Sequence, residues 1–118
     1  MKYYVYLIHM EGTNTCKIGY TNENKGPKGR MKELQTGCPF KLSILGSFLS
    51  EYGQKIEGIM HRQHSDKKID EELNELQGEW FDLNDIDINN FEKDCKGTED
   101  TILFLLETST LDNPLGYL

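Results

Sequence analysis

The chain has 118 residues, 36% of them hydrophobic, and a formal net charge of −7 from 13 Lys and Arg against 20 Asp and Glu. That length suits one domain burying a modest core, and with no charged-then-apolar leader and no apolar run near the ~20 residues of a membrane span, secretion and insertion are disfavoured and a cytoplasmic location is expected. The three cysteines, Cys16, Cys38 and Cys95, contain no Cys-x-x-Cys pair, which argues against a disulfide framework and against a cysteine zinc site.

Tyr3 to His9 is rich in aromatic and β-branched residues and runs into Glu11-Gly12-Thr13-Asn14, a strand followed by a turn. Cys16 to Thr21 is its expected hairpin partner. After the polar stretch 22–29, in which Pro27 suits a helix's first turn, Met31 and Leu34 predict a short helix that Gly37 and Pro39 stop, with Arg30 in its first turn. Leu42, Ile44 and Phe48 alternate with serines as in a third strand, and Gly46 marks a candidate bulge. From Tyr52 to His64, Ile56, Ile59 and Met60 form a helical stripe, with Glu57 and His61 four apart on an adjoining face. A short helix is expected over 70–76, ended by Gly78, and Trp80-Phe81 reads as a buried aromatic anchor. Thr98 followed by Glu99, Asp100 and Thr101 resembles a helix start leading into Ile102 to Leu106, and Asn113-Pro114 a loose end. The expectation is a small α/β domain with a three-stranded, mainly antiparallel sheet flanked by helices.

Charge is unevenly spread. Residues 1–50 hold seven Lys and Arg against three acids, whereas residues 51–118 hold six against seventeen. An acidic chain repels DNA in bulk, yet the basic half can still draw a phosphate backbone into a cleft. The acids elsewhere need only be solvating exposed helices.

A phenol (Tyr6), an amine (Lys17), a guanidinium (Arg30), a carboxylate (Glu57) and an imidazole (His61) are the side chains a metal-dependent phosphodiesterase needs, because it must activate a nucleophile and neutralise charge on phosphate oxygens. Read singly, Tyr6 is a packed aromatic, Lys17 an exposed strand lysine and Arg30 a solvated helix residue. A guanidinium nevertheless offers fork-shaped donors that match phosphate oxygens. Lys28 and Lys32 are nearby candidates for nucleic-acid backbone contacts. Gly19 lets the chain turn or lets a substrate come close. Zinc held by Glu57, His61 and His64 is an alternative that helical spacing permits but no fourth ligand supports; packing is preferred for His64.

The order Tyr4-Val5-Tyr6, Lys17-Ile18-Gly19, Arg30 to Gly37, Glu57 to His61 and Glu79-Trp80-Phe81 resembles the GIY-YIG nuclease superfamily, in its phage-type branch, from about Tyr3 to Leu83. The resemblance implies a nuclease domain over 1–84, with 85–118 a helical extension packed on it. It implies that Tyr6 acts as general base or orients the attacking water, that Arg30 contacts the scissile phosphate, and that Glu57 holds one divalent ion, Mg2+ or Mn2+. His61 would assist proton transfer or orient the phosphate. Lys17 departs from the tyrosine that opens the second motif in the best-known members, where it would hold the Tyr6 oxygen or a phosphate oxygen. Glu79 is either a second acid of the site or a structural tie. The implied function is a metal-dependent DNA endonuclease in a host cytoplasm, with RNA, a protein partner and a second copy of the chain left open. The alternative is a degenerate domain that binds nucleic acid or a protein without cutting.

Overall fold

The computed structural model describes residues 1–69 and 79–108. Four strands and four helices occur there: β1 (Tyr3–Met10), β2 (Thr15–Asn22), α1 (Gly26–Gln35), β3 (Leu42–Ser50), α2 (Gly53–Gln63), β4 (Trp80–Asp82), α3 (Asp85–Asn89) and α4 (Phe91–Thr108). The sheet runs β3-β1-β2-β4 with every neighbouring pair antiparallel. The 70–76 helix and the Asn113-Pro114 end lie outside the described residues.

The β1–β2 hairpin forms where the turn residues stand. Gly12 takes φ +84°, a region glycine enters without steric cost. His9 and Thr13 then tie the turn together, the His9 ring against the Thr13 carbonyl at 2.6 Å and the Thr13 hydroxyl donating to Met10 at 2.6 Å.

The expected three-stranded sheet is corrected to four strands. β4 pairs with β2 only at Thr15, Cys16 and Lys17. Trp80 and Phe81 are both buried, on opposite faces, so this strand carries no polar alternation to announce it. Arg30 falls in the second turn of α1, since Gly26 and Pro27 already open the helix. Thr98 is inside α4, where its hydroxyl donates to the Asp94 carbonyl at 2.8 Å, and does not start a helix. The helix start in that region is instead Asn84, whose side chain accepts from the Asp87 amide while the Asp87 carboxylate accepts from the Asn84 amide.

Each face of the sheet has its own core. Val5, Leu7, Ile18 and Phe81 pack under α2 and α4 through Ile56, Met60, Phe91, Cys95 and Ile102. Tyr6, Ile8, Met10, Leu42 and Trp80 pack under α1 through Leu34 and Met31. The bulge expected near Gly46 is present: Leu7 pairs with Gly46 but Ile8 with Ile44, leaving Leu45 unpaired. An extra residue turns the strand over. Phe48 therefore opposes Val5 and joins the α2–α4 core, whereas Leu42 and Ile44 belong to the α1 side.

Candidate active site

Strand alternation puts Tyr6 on the α1 face, and its cross-strand partner is Gly19. The buried phenol lies directly over that glycine: a Cβ at position 19 would meet the Tyr6 ring, with Cζ 2.5 Å and Cε1 2.9 Å away. Gly19 is thus the floor that lets Tyr6 lie across β2. Its hydroxyl hydrogen bonds with Arg30 from the second turn of α1. Arg30 is held from the other side by Glu33 at 2.9 Å, and Glu33 also pairs with Lys25 at 2.8 Å.

Lys17 lies on the same face of β2, opposite Ile8 and Trp80, and is only 6% exposed. It marks where β4 ends; beyond it the outer edge of β2 has no strand partner among the described residues. Through that gap α2 delivers its polar side. The His61 Nε2 meets the Ile18 carbonyl at 2.6 Å, and its Nδ1 meets the Glu79 carboxylate at 2.5 Å. Glu57, one turn earlier, is 3.8 Å from His61 and interacts electrostatically with both Lys17 and Tyr6. Phe81 braces the His61 ring edge-on at 5.1 Å. Tyr6, Lys17, Arg30, Glu57 and His61, scattered in the chain, are therefore brought together at one notch.

Local electrostatics follow from burial. The Tyr6 phenol is pushed above its ordinary value by burial, which outweighs the opposing influence of Arg30. A tyrosine that keeps its proton at neutral pH is better suited to hold a water than to deprotonate one. Lys17 is pulled below the usual lysine range, first by burial and then by the Arg30 charge, against the attraction of Glu57 and Glu79. Glu57 is raised by burial despite His61 and Lys17 beside it. Burial alone would raise Glu79 too, but Lys68 at 3.2 Å and His61 hold it below the usual carboxylate range.

Both His61 ring nitrogens have oxygen partners, the Ile18 carbonyl and the Glu79 carboxylate. With both nitrogens so held, it is a fixed element of the notch. Glu79 completes the cluster as the residue that sequence reading left undecided; its position before the Trp80-Phe81 anchor was the available signal. The Ile18 carbonyl, being backbone, had none.

Glu57 can serve as a lone hard-oxygen ligand, because Mg2+ keeps several of its waters and a nearby cation would relieve the burial that now raises this carboxyl. The three-ligand zinc arrangement is not formed: among the described residues no three His, Cys, Asp or Glu side chains gather as a metal group. His64 is buried against Phe81, with ring centroids 6.5 Å apart, as packing predicted. Lys28 and Lys32 are exposed on α1. Among the described residues no helix is long and apolar enough to cross a membrane.

Fold and notch define a small α/β domain in which cations and carboxylates meet at the outer border of β2. The chain belongs to the T5orf172 domain family, whose pattern matches residues 3–98 and so continues past Leu83 into α4. No curated protein and no solved structure matches it.

Proposed function

We propose that the protein is a metal-dependent endonuclease that hydrolyses DNA phosphodiester bonds, a GIY-YIG-like enzyme whose second motif opens with Lys17. The observation that carries this reading is the notch itself, where the buried Tyr6 phenol and Lys17 ammonium meet the partly buried Arg30, Glu57 and Glu79 at one strand edge. Idle charges are costly in such a place, and groups shifted by burial beside charged partners gather where chemistry is done. Membership of the T5orf172 domain family supports a nuclease-like or DNA-binding role.

In this mechanism a water attacks phosphorus as the bond from phosphorus to the departing sugar oxygen breaks. Tyr6 holds the water through its hydroxyl, the buried Lys17 ammonium donates to a phosphate oxygen, and the water's proton passes to solvent. Arg30 donates to the phosphate oxygens as their charge grows. The sugar oxygen leaves as an alcohol after gaining a proton from solvent. Glu57 would hold Mg2+ or Mn2+, which when bound supplies positive charge next to the phosphate. Glu79 and the Ile18 carbonyl fix His61, which keeps Glu57 in position.

Nicking of supercoiled plasmid in Mn2+ or Mg2+ tests the proposal, with Glu57→Gln and Arg30→Ala alongside wild type. The wild type should nick, Glu57→Gln should not, and Arg30→Ala should lose about a hundred- to a thousandfold in rate. A folded wild type that leaves the plasmid intact with every divalent ion, yet retards it in a salt-sensitive gel shift, would establish the non-cutting binding domain instead.

A further inference from the structure

A cleft of about 450 Å³ opens between the start of α1 and the α1-side face of β1 and β3. Its floor includes Tyr4, Ile44 and Ser47, and its wall carries Lys25 and Lys28. Tyr4 lies two residues before Tyr6 on the same face of β1, about 7 Å along the strand, so the floor begins about one nucleotide's reach from the notch. A second link joins the two. Glu33 grips Lys25 of the cleft wall and Arg30 of the notch at once, at 2.8 and 2.9 Å. At the mouth the first turn of α1 contains no acidic side chain; Asn22 Oδ1 accepts from the Lys25 amide at 2.7 Å and Pro27 has no N–H, which leaves the Gly26 and Lys28 amides without a side-chain cap. The cleft thus combines an aromatic and apolar floor, a lysine wall and two uncapped backbone amides in a volume that suits one nucleotide.

We propose that this cleft is a subsite for an unpaired nucleotide flanking the scissile phosphate, with its base against Tyr4 and its phosphate at Lys28 and the α1 amides. Stacking on an aromatic ring tolerates any base, and donors at a helix start favour an anion. Glu23, the acid on the lining, is an acceptor for a base amino group and keeps the phosphate towards Lys28. A paired base cannot enter such a pocket without leaving its duplex, so the subsite selects frayed, gapped or single-stranded positions.

The inference rests on the reading that the protein binds nucleic acid, but its test is separate from cleavage. Short single-stranded DNA and RNA oligonucleotides carrying one 2-aminopurine are titrated with the full chain in EDTA, beside a blunt duplex of the same sequence. Quenching of the 2-aminopurine should accompany binding of the single strands and be weak for the duplex. Tyr4→Leu should abolish the quenching and weaken binding about tenfold, Tyr4→Phe should restore both, and Lys28→Gln should weaken binding and flatten its salt dependence. Circular dichroism confirms that each variant is folded. Binding and quenching that are indifferent to Tyr4→Leu and Lys28→Gln overturn the subsite while leaving plasmid nicking as it was. Conversely, Tyr4-dependent quenching by a chain that never nicks keeps the subsite and ends the endonuclease proposal. A wild type that binds no oligonucleotide overturns the subsite, while the nicking assay decides the endonuclease reading on its own.

Discussion

Replacing Gly19 by alanine probes the contact on which the notch is built. The new Cβ would stand 2.5 Å from the Tyr6 Cζ, where ordinary contact begins near 3.4 Å, so the ring must retreat by about an ångström. Tyr6 is 1% exposed and its ring is rigid, which leaves it little room to give. Overpacking of this kind costs about 1–3 kcal/mol, and removing a strand glycine returns about 0.5–1 kcal/mol. The net is a loss of about 0–2.5 kcal/mol, with its middle near 1 kcal/mol, which near this chain length lowers Tm by about 4 °C. The phenol is also pushed from Arg30, and a misplacement of about 1 Å near a reacting centre can slow turnover about a hundredfold. Thermal melts and nicking rates are measured for Gly19→Ala, Tyr6→Leu and the double variant. The shorter leucine vacates the disputed space, so the double variant should be more stable than the sum of the single losses predicts. Additive losses, or a Gly19→Ala protein that melts within about 1 °C of wild type and turns over normally, would refute the contact.

Other expectations follow from the same geometry. If Glu57 is the metal ligand, Mg2+ or Mn2+ at a hundred times Kd should stabilise the wild type by about 2.7 kcal/mol and leave Glu57→Gln unmoved; equal shifts in the two proteins would place the ion elsewhere. Burial would raise Asp87, but Lys67 at 2.7 Å and the Asn84 amide hold it below its ordinary 3.8. Its contribution is therefore complete above that value and lost as pH falls through the lower folded one, because the unfolded chain then binds more protons. Urea midpoints followed into acid should fall less steeply for Asp87→Asn, and identical slopes would count against the pair. Asn84→Ala should cost about 1 kcal/mol through the lost cap, read as a lower urea midpoint. Cys16 and Cys95 are buried, their thiols pushed up to about 12 chiefly by desolvation. Iodoacetamide should label the half-buried Cys38 in the native protein and reach the other two only after unfolding, as mass spectrometry would record.

What could be read from the chain follows the length and periodicity of its elements. β1, β2 and α2 announce themselves through long apolar patterns and a turn with glycine, and the structure puts them where those patterns point. β4 escaped notice because three residues with both faces covered show no period. Phe48 sits on the opposite face from that suggested by simple alternation, since one unpaired residue at Leu45 reverses the count. α4 begins at Phe91 because packing of Phe91 and Cys95 into the core outweighs the local helix-start pattern at Thr98. At the notch, the order of Tyr6, Lys17, Arg30, Glu57 and His61 carried the chemical types but not their environment. That burial raises Tyr6 and weakens the Lys17 ammonium depends on Trp80, on the length of β4 and on the approach of α2. None of these is local to either residue.

β4 pairs with β2 at three positions, and among the described residues no strand covers the rest of that β2 border, a row of amides and carbonyls of the kind that invites a stray chain to add itself. His61 caps one of those carbonyls. That contact leaves one carbonyl fewer to seek an outside donor. A His61→Ala protein should lose solubility on storage as well as the order of its notch, and light scattering unchanged from wild type would show that this carbonyl draws in no other chain.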